Sequence, residues 1–252
     1  LDKTYNSDLG YKFLLKPIIC GSKTNKIFEN IHDFCFIKGT NYLLFSSGTN
    51  FLISKNIHFF KINDVLDNNA NCNKLIYNVY EEDTEYSIDI YYSKDYSSFY
   101  IVKSDHSRSI KYIIKKYSLN KLLNKIYKTR KYYLDYGNYY IKDTNELNKH
   151  FLQLNKPLND TLFMIDNIGD NYYILSNILN NNNHLFKFTY NDLHNFDNLI
   201  NNGDISNYIY IKPHKQNSLV DFYLYKDFIV VNELNMNVDK YFLIPKKHFN
   251  KE

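Results

Sequence analysis

The chain has 252 residues, among them 26 Tyr and 18 Phe but no Trp, only 7 Gly and only 4 Pro. Its net charge of +4 comes from Lys scattered among Asp and Glu, which argues against a nucleic-acid-binding face, because such faces cluster their basic residues. No apolar run reaches the ~18 residues of a membrane helix, and the N-terminus lacks the charged-then-apolar order of a signal peptide. We therefore expect neither nucleic acid nor a membrane as a partner.

The first eighty residues alternate short apolar runs with polar turns. Runs rich in β-branched and aromatic residues, bounded by Asn, Gly, Ser or Lys, are typical of β-strands. Pro17 is expected to stop the first of them. The predicted strands are Tyr11 to Cys20, Ile27 to Ile31 leading into Asp33 to Ile37, Tyr42 to Ser46, Asn56 to Ile62 and Leu75 to Tyr80.

The stretch from Val79 to Lys116 predicts a β-meander. Its apolar runs are separated by the short polar segments S-K-D-Y-S-S and K-S-D-H-S-R-S, which favour tight loops between successive strands. A meander cannot bury both faces by itself, so it needs further sheets as neighbours. The predicted strands are Ile88 to Tyr92, Phe99 to Val102 and Ile110 to Ile114.

A helical spacing interrupts the strands after the meander. Apolar residues at positions 119, 122, 123, 126 and 127 predict a short helix from Leu119 to Tyr127. The strand pair Tyr132 to Tyr136 and Asn138 to Lys142 follows, and then a loop around Pro157. Apolar runs that favour strands resume in T-L-F-M-I-D-N-I-G-D-N-Y-Y-I-L-S-N, H-L-F-K-F, I-S-N-Y-I-Y-I, L-V-D-F-Y-L-Y-K-D-F-I-V-V-N-E and K-Y-F-L-I-P.

A loose repeat places an Asp inside an apolar run that is followed by a turn and a second apolar run. The four Asp residues are Asp33, Asp89, Asp166 and Asp221, at steps of 56, 77 and 55. A period near fifty with about four strands per unit indicates the blades of a β-propeller. We expect each Asp side chain to bind nearby backbone rather than a ligand.

The predicted fold class is therefore all-β, a β-propeller with a short helical insert. About four to five blades of a seven-bladed propeller are present, so the propeller is incomplete. We interpret residues 1–252 as a single partial domain, and the N-terminus as part of a longer chain. The blade-like units are about 1–30, 31–80, 86–118, 158–211 and 219–252, and the insert is 119–157.

The sequence contains no motif that would supply catalytic chemistry. It lacks G-x-S-x-G, the phosphate-binding glycine loops and H-E-x-x-H, and its eight His are isolated from one another. The acidic run Glu81 to Asp83 is interpreted as a solvated connection, and the sequon at Asn159 carries little weight without secretion. We predict no catalytic residue, no metal ligand and no cofactor.

The three cysteines, Cys20, Cys35 and Cys72, lack the paired spacing of a disulfide framework or a zinc site. Reduced thiols in a reducing compartment are the simpler interpretation. The expected localisation is therefore cytoplasmic.

Several segments, taken in order, resemble the prolyl oligopeptidase family of serine peptidases, and its oligopeptidase B branch most closely. The chain departs from the family at Leu234, where the family has Arg, and in its insert. The matching segments are V-Y-E-E-D at 79–83, Y-S-I-D-I-Y-Y-S-K-D at 86–95, F-Y-I-V-K-S-D-H-S-R-S at 99–109, I-G-D-N-Y-Y-I-L-S-N at 168–177, N-H-L-F-K-F at 183–188 and V-D-F-Y-L-Y-K-D-F-I-V-V-N-E at 220–233.

This resemblance implies a seven-bladed propeller that covers an α/β-hydrolase peptidase domain and admits short peptides. The catalytic Ser, Asp and His of that family lie in the hydrolase domain, and no segment of these 252 residues matches it. The implied partners are a C-terminal α/β-hydrolase catalytic domain and short peptide substrates. The alternative is a stand-alone propeller scaffold for protein–protein interaction, which fits the fold equally well.

Overall fold

β-Strands account for most of the residues that the structure describes. The structure is a computed structural model. It describes residues 2–6, 10–15, 26–37, 39–40, 42–48, 56–61, 75–80, 87–104, 109–115, 121, 124, 133–135, 138–140, 151–155, 163–179, 182–214 and 217–246.

The first sheet contains six antiparallel strands that are neighbours in chain order. They are β1 (Asp2–Asn6), β2 (Gly10–Leu15), β3 (Lys26–Phe36), β4 (Tyr42–Ser47), β5 (Asn56–Lys61) and β6 (Leu75–Tyr80). The two predicted runs before Ile37 form the single strand β3, which has a bulge between Ile31 and Asp33. β1 has no counterpart among the predicted strands, because its sequence D-K-T-Y-N is largely polar.

The predicted meander forms a second sheet. Its strands are β7 (Ser87–Tyr92), β8 (Ser98–Ser104) and β9 (Ser109–Lys115), with β12 (Leu152–Asn155) beside β9 in the order β12-β9-β8-β7. All three meander strands are confirmed. β12 lies where the sequence predicted no strand, since F-L-Q-L-N offers only a short alternation and pairing with a distant strand decides its conformation.

Part of the predicted insert lies within the described residues. The strand pair is confirmed as β10 (Tyr133–Asp135) and β11 (Asn138–Tyr140), which pair antiparallel. Of the helix predicted from Leu119 to Tyr127, the structure describes only Lys121 and Asn124, both helical, and the rest lies outside the described residues.

The third sheet contains four strands, and helices pack on one of its faces. The strands, in sheet order, are β13 (Phe163–Ile168), β14 (Asn171–Ser176), β15 (His184–Thr189) and β16 (Ile209–Ile211). Between β15 and β16 lie α1 (Tyr190–Leu193), α2 (Phe196–Asn201) and a 3-10 helix (Asp204–Tyr208). The strand expected for I-S-N-Y-I-Y-I is therefore wrong in its first half, which belongs to the 3-10 helix.

Both faces of the third sheet are buried. On one face, aromatic rings of the sheet meet α2, with Phe196 5.9 Å from Phe163 and 5.6 Å from Phe188 between ring centroids. On the other face, Tyr173, Leu175 and Leu185 pack against a further sheet. The near-continuous apolar sequence of β14 follows from this two-sided burial.

The last sheet has three strands, β17 (Ser218–Leu224), β18 (Phe228–Asn235) and β19 (Val238–Pro245), paired antiparallel in chain order. One face presents Leu219, Phe222, Leu224, Ile229 and Val231 to the third sheet, and these side chains are at most 6% exposed. A bulge between Leu219 and Asp221 shifts the register of β17 against β18.

The chain divides into two compact units. The first comprises Leu1–Tyr91, Phe99–His106 and Lys111–Gln153, and the second comprises Tyr92–Ser98, Ser107–Ile110 and Leu154–Glu252. The all-β class expected from the sequence is confirmed, with four-stranded sheets as a recurring element. The boundaries of the individual blade-like units stay a prediction.

Candidate functional site

Three of the four repeated Asp residues bind their own backbone. The Oδ1 atoms of Asp33, Asp166 and Asp221 accept a hydrogen bond from the N–H of the following residue at 2.7, 2.8 and 2.7 Å. Asp33 and Asp221 also sit at the bulges of β3 and β17. The prediction that these side chains serve local backbone is confirmed for all three. Asp89 lies on β7. Partial desolvation of its carboxyl raises its pKa, and the charge of nearby His32 offsets only part of that rise.

Asp95 and Asp166 join the β7–β8 turn to the β13–β14 turn. The Asp95 carboxylate accepts hydrogen bonds from the backbone N–H of Gly169 at 2.6 Å and of Ser97 at 3.0 Å. In return, Asp166 Oδ1 accepts one from the backbone N–H of Lys94 at 2.9 Å. All these residues belong to the second unit. We call this set the hairpin clamp.

Buried polar groups complete the hairpin clamp. The Asn167 amide is fully buried, and its Nδ2 donates to Ser97 Oγ and to the Gly169 carbonyl, both at 2.8 Å. Ser98 Oγ lies 2.7 Å from the hydroxyl of Tyr172, whose pKa burial raises to about 12. Each buried polar group named here has a partner, as a stable packed junction requires.

The two carboxylates of the hairpin clamp shift their pKa values in opposite directions. Burial raises the pKa of Asp95, but the N–H groups of Gly169 and Ser97 outweigh it, so the pKa is lowered overall. Burial and the nearby Asp95 raise the pKa of Asp166, against the opposing hydrogen bonds from Lys94 and Asn167. Split pKa values are typical of acid–base pairs, yet here both carboxylates are occupied by backbone donors. The arrangement therefore positions Lys94 rather than moving protons.

Beside the hairpin clamp, three lysines gather around tyrosine rings where the third and last sheets meet. We call this the basic-aromatic cluster, and it consists of Lys94, Lys187, Lys246, Tyr173, Tyr210 and Tyr225. Tyr173 and Lys187 are directly opposite each other on β14 and β15. Lys246 follows β19, and its Nζ donates to the carbonyl of Tyr225 at 2.6 Å.

The lysine ammonium groups lie over ring faces at cation–π distances. Lys94 Nζ is 5.3 Å from the ring centroid of Tyr225, and Lys246 Nζ is 5.6 Å from that of Tyr173. Lys187 Nζ is 6.0 Å from the Tyr173 centroid and 5.6 Å from the Tyr210 centroid. Such contacts contribute about 0.5–1 kcal/mol at exposed positions and more when water is excluded. The cluster is therefore a partly desolvated cationic surface with aromatic walls.

The sequence did not predict the basic-aromatic cluster, because its members come from three strands and from three segments outside the strands. What could have indicated it is Lys187, a charged residue between Phe186 and Phe188 on an otherwise buried strand. A lysine in that position packs its aliphatic stem on apolar surface, and its ammonium group must reach water or a polar partner.

A buried carboxylate holds the segment before β17. Glu233 is 2% exposed, and its carboxylate accepts hydrogen bonds from His214 Nδ1 at 2.8 Å and from the Asn217 side-chain amide. Burial alone would raise the pKa of Glu233, but the donors Asn217 and His214 outweigh it and the pKa is lowered. This network ties the segment before β17 to β18, while the His214 side chain stays 70% exposed.

A serine and a histidine meet on β4 and β5. Ser47 Oγ is 2.6 Å from His58 Nε2, and the His58 ring stacks on Phe45 with centroids 4.6 Å apart. Burial lowers the pKa of His58 to about 4. Within the described residues no carboxylate bonds to His58, whereas a catalytic base is usually oriented by such a group.

Several predicted features lie outside the described residues, namely Cys20, Cys72, the acidic run at 81–83 and the sequon at Asn159. Cys35 is a half-buried thiol on β3. The described residues bring together no group of three or more His, Cys, Asp or Glu suited to a metal ion. Within the same residues, no helix has the length and apolarity to cross a bilayer.

The described residues form antiparallel sheets of six, two, four, four and three strands with few helices, an all-β arrangement of the β-propeller class. The sequence matches no model of a known protein family and no curated protein. Solved structures do share the fold. Oligopeptidase B from Leishmania major matches with a TM-score of 0.64 and 9% identity, covering 96% of this chain and 28% of that one.

Two further structures give the same result. Oligopeptidase B from Trypanosoma brucei, in a closed form with covalently bound antipain, matches with a TM-score of 0.59 and 8% identity over 96% of this chain and 30% of that one. Prolyl oligopeptidase B from Galerina marginata, bound to a 35mer hydrolysis and macrocyclization substrate, has a TM-score of 0.55 and 10% identity. The match covers 97% of this chain and 31% of that one. The chain thus spans about three-tenths of each solved chain, and identities this low show the fold alone.

Proposed function

We propose that this chain is the N-terminal β-propeller of a serine peptidase like oligopeptidase B and prolyl oligopeptidase. In that role it gates access by size, so that short peptides reach a separate catalytic domain and folded proteins do not. One observation carries the proposal: the fold match to Leishmania major oligopeptidase B covers 96% of this chain but only 28% of that one. The ordered series of family-like segments supports the same assignment.

The proposed module performs no chemistry of its own. Ser47 and His58 are the nearest approach to a nucleophile and base among the described residues, and no described carboxylate bonds to His58. A ring whose pKa is about 4 is also a poor general base near neutral pH. Catalysis therefore belongs to an α/β-hydrolase domain, the proposed partner, and the expected compartment is the cytoplasm.

Absence of hydrolysis by the chain alone is the first test. We expect the purified 252 residues to release no fluorophore from a fluorogenic Arg peptide, which a basic-residue-cleaving peptidase of this branch would accept. Turnover that a serine-directed inhibitor abolishes would contradict the proposal.

Size selection is the second test, and it uses a chimera. The chain replaces the matching segment of Leishmania major oligopeptidase B, and cleavage of a short fluorogenic peptide serves as the internal control for an intact catalytic domain. We expect the chimera to cleave the short peptide and to leave folded proteins intact. Cleavage of both at similar rates would mean that the chain does not gate, and a scaffold role would then be favoured.

A further inference from the structure

Lys187 and Lys246 direct their ammonium groups toward the same tyrosine ring. Their Nζ atoms lie 6.0 and 5.6 Å from the ring centroid of Tyr173, which is itself 2% exposed. Both lysines are half-buried. Like charges gathered at one ring repel each other, and the neighbouring Lys187 helps to lower the pKa of Lys246. An anion bound to both lysines would offset this repulsion.

Neither lysine forms an ion pair within 4.0 Å with a carboxylate of the described residues. Over the described ranges the one ion pair within 4.0 Å joins His214 to Glu233. Asp95, Asp166 and Asp227 are near enough to raise the pKa of Lys246, yet burial and the neighbouring Lys187 prevail and lower it. Asp95 and Asp166 are already occupied by the backbone donors of the hairpin clamp.

We propose that the basic-aromatic cluster is a binding site for the carboxylate of a peptide, held by Lys187 and Lys246 beside Tyr173. Lys246 uses one N–H on the Tyr225 carbonyl, so two N–H donors remain for a ligand. Tyr210, half-buried, and Tyr225, 41% exposed, supply aromatic surface for the adjoining part of the peptide. This inference rests on the proposed function only in that short peptides are the ligands such a module meets.

The surrounding charges favour a single carboxylate over a polyanion. Asp95, Asp166 and Asp227 border the cluster, so an extended chain of phosphates would meet carboxylates on leaving the lysine pair. Nucleic-acid sites instead use an extended basic face. A peptide offers one charge on a neutral backbone, and either its C-terminus or an acidic side chain supplies it.

Binding of labelled tetrapeptides to the full 252-residue chain tests the proposal. Fluorescence anisotropy would compare three probes: Ala-Ala-Ala-Ala with a free C-terminus, the same peptide amidated, and amidated Ala-Glu-Ala-Ala. We expect at least one carboxylate-bearing probe to bind about tenfold tighter than the neutral amide, because hydrogen bonds to charged groups contribute about 1.5–3 kcal/mol. The probe that gains identifies the source of the carboxylate. Equal affinity of all three probes would overturn the proposal.

Matched lysine variants locate the site. Lys246→Met and Lys187→Met should each weaken carboxylate binding about tenfold, and Lys246→Arg should retain most of it. Lys240→Met is the control, because Lys240 is an exposed lysine on β19, six positions before Lys246. Equal loss in Lys240→Met and Lys246→Met would mean general charge attraction and would overturn the proposal. Because the wild-type acid and amide probes are compared directly, a variant that fails to fold leaves that test intact.

The experiments can reject the peptide-binding site and the gating role independently of each other. Loss of the acid–amide difference with a size-selective chimera would reject the carboxylate site alone. A chimera that does not select by size, together with lysine-dependent carboxylate binding, would reject the gating role and leave the site.

Discussion

At the scale of single residues, folding changes the charge state of His58 in mildly acidic solution. It is half-buried on β5, bonded to Ser47 and stacked on Phe45, and burial lowers its pKa to about 4 from the usual 6.5. Above pH 6.5 the ring is neutral in the folded and unfolded chains alike. Between pH 6.5 and 4 the unfolded ring takes up a proton that the folded ring does not. The free energy of unfolding therefore decreases as the pH decreases.

We expect His58→Gln to remove this pH dependence. Between pH 7.5 and 5 the wild-type chain should lose about 2 kcal/mol more unfolding free energy than the variant, because the variant has no proton to gain. Urea denaturation at the two pH values measures the difference. His194→Gln, an exposed position after α1, is the matched control and should behave as wild type. A variant that keeps the full wild-type loss would show that other groups cause it.

At the scale of elements, two hairpin turns differ in how well their residues suit a positive φ angle. Gly169 opens the β13–β14 turn with a φ of +58°, which glycine adopts without steric cost. The β18–β19 turn instead places Met236 and Asn237 at φ values of 46° and 64°, and Met236 is 87% exposed. Two positive φ values define the hairpin turn that favours Asn-Gly, so a side chain such as Met is strained in its first position.

Met236→Asn should therefore stabilise the protein. Asn tolerates the left-handed conformation better than Met, and we expect a gain of about 0.5–1 kcal/mol in unfolding free energy. Thermal and urea unfolding measure it. Lys226→Asn places the same residue in the β17–β18 turn, where no positive φ occurs, and should bring no gain. If both variants change stability equally, the turn geometry is not the cause.

At the scale of the whole molecule, one face of the last sheet remains uncovered within the described chain. Tyr223, Tyr241 and Leu243 are 45%, 63% and 62% exposed on the face opposite the packed one. The strand β19 also forms the outer edge of its sheet in the described order. Apolar faces and open strand edges promote association between molecules.

We expect the isolated chain to self-associate at micromolar concentration through this face. Tyr241→Lys combined with Leu243→Lys should shift the population toward monomer, because the added charges oppose burial of the face. Sedimentation velocity over a concentration series measures the shift. The control pair, Asn198→Lys with Asn207→Lys, adds the same charge at exposed polar positions and should still associate. A wild-type chain that stays monomeric throughout would contradict the prediction.

The strands were predictable because their pattern is local. β7, β8 and β9 each follow from an apolar run bounded by polar turn residues. The helices after Thr189 were not predicted, since their sequence is rich in Asn and their apolar residues are few. A hint existed in T-Y-N-D, where Thr189 and Asp192 cap α1 reciprocally.

The sequence by itself determined the all-β class, most strand positions and the local role of Asp33, Asp166 and Asp221. Each depends on neighbours along the chain, through side-chain alternation or a bond to the next backbone N–H. Only the tertiary structure decided that β12 joins the meander sheet, that Lys187 and Lys246 share the ring of Tyr173, and that Lys94 lies over the ring of Tyr225. Those contacts join residues far apart in sequence, and sheet packing, which no local pattern records, brings them together.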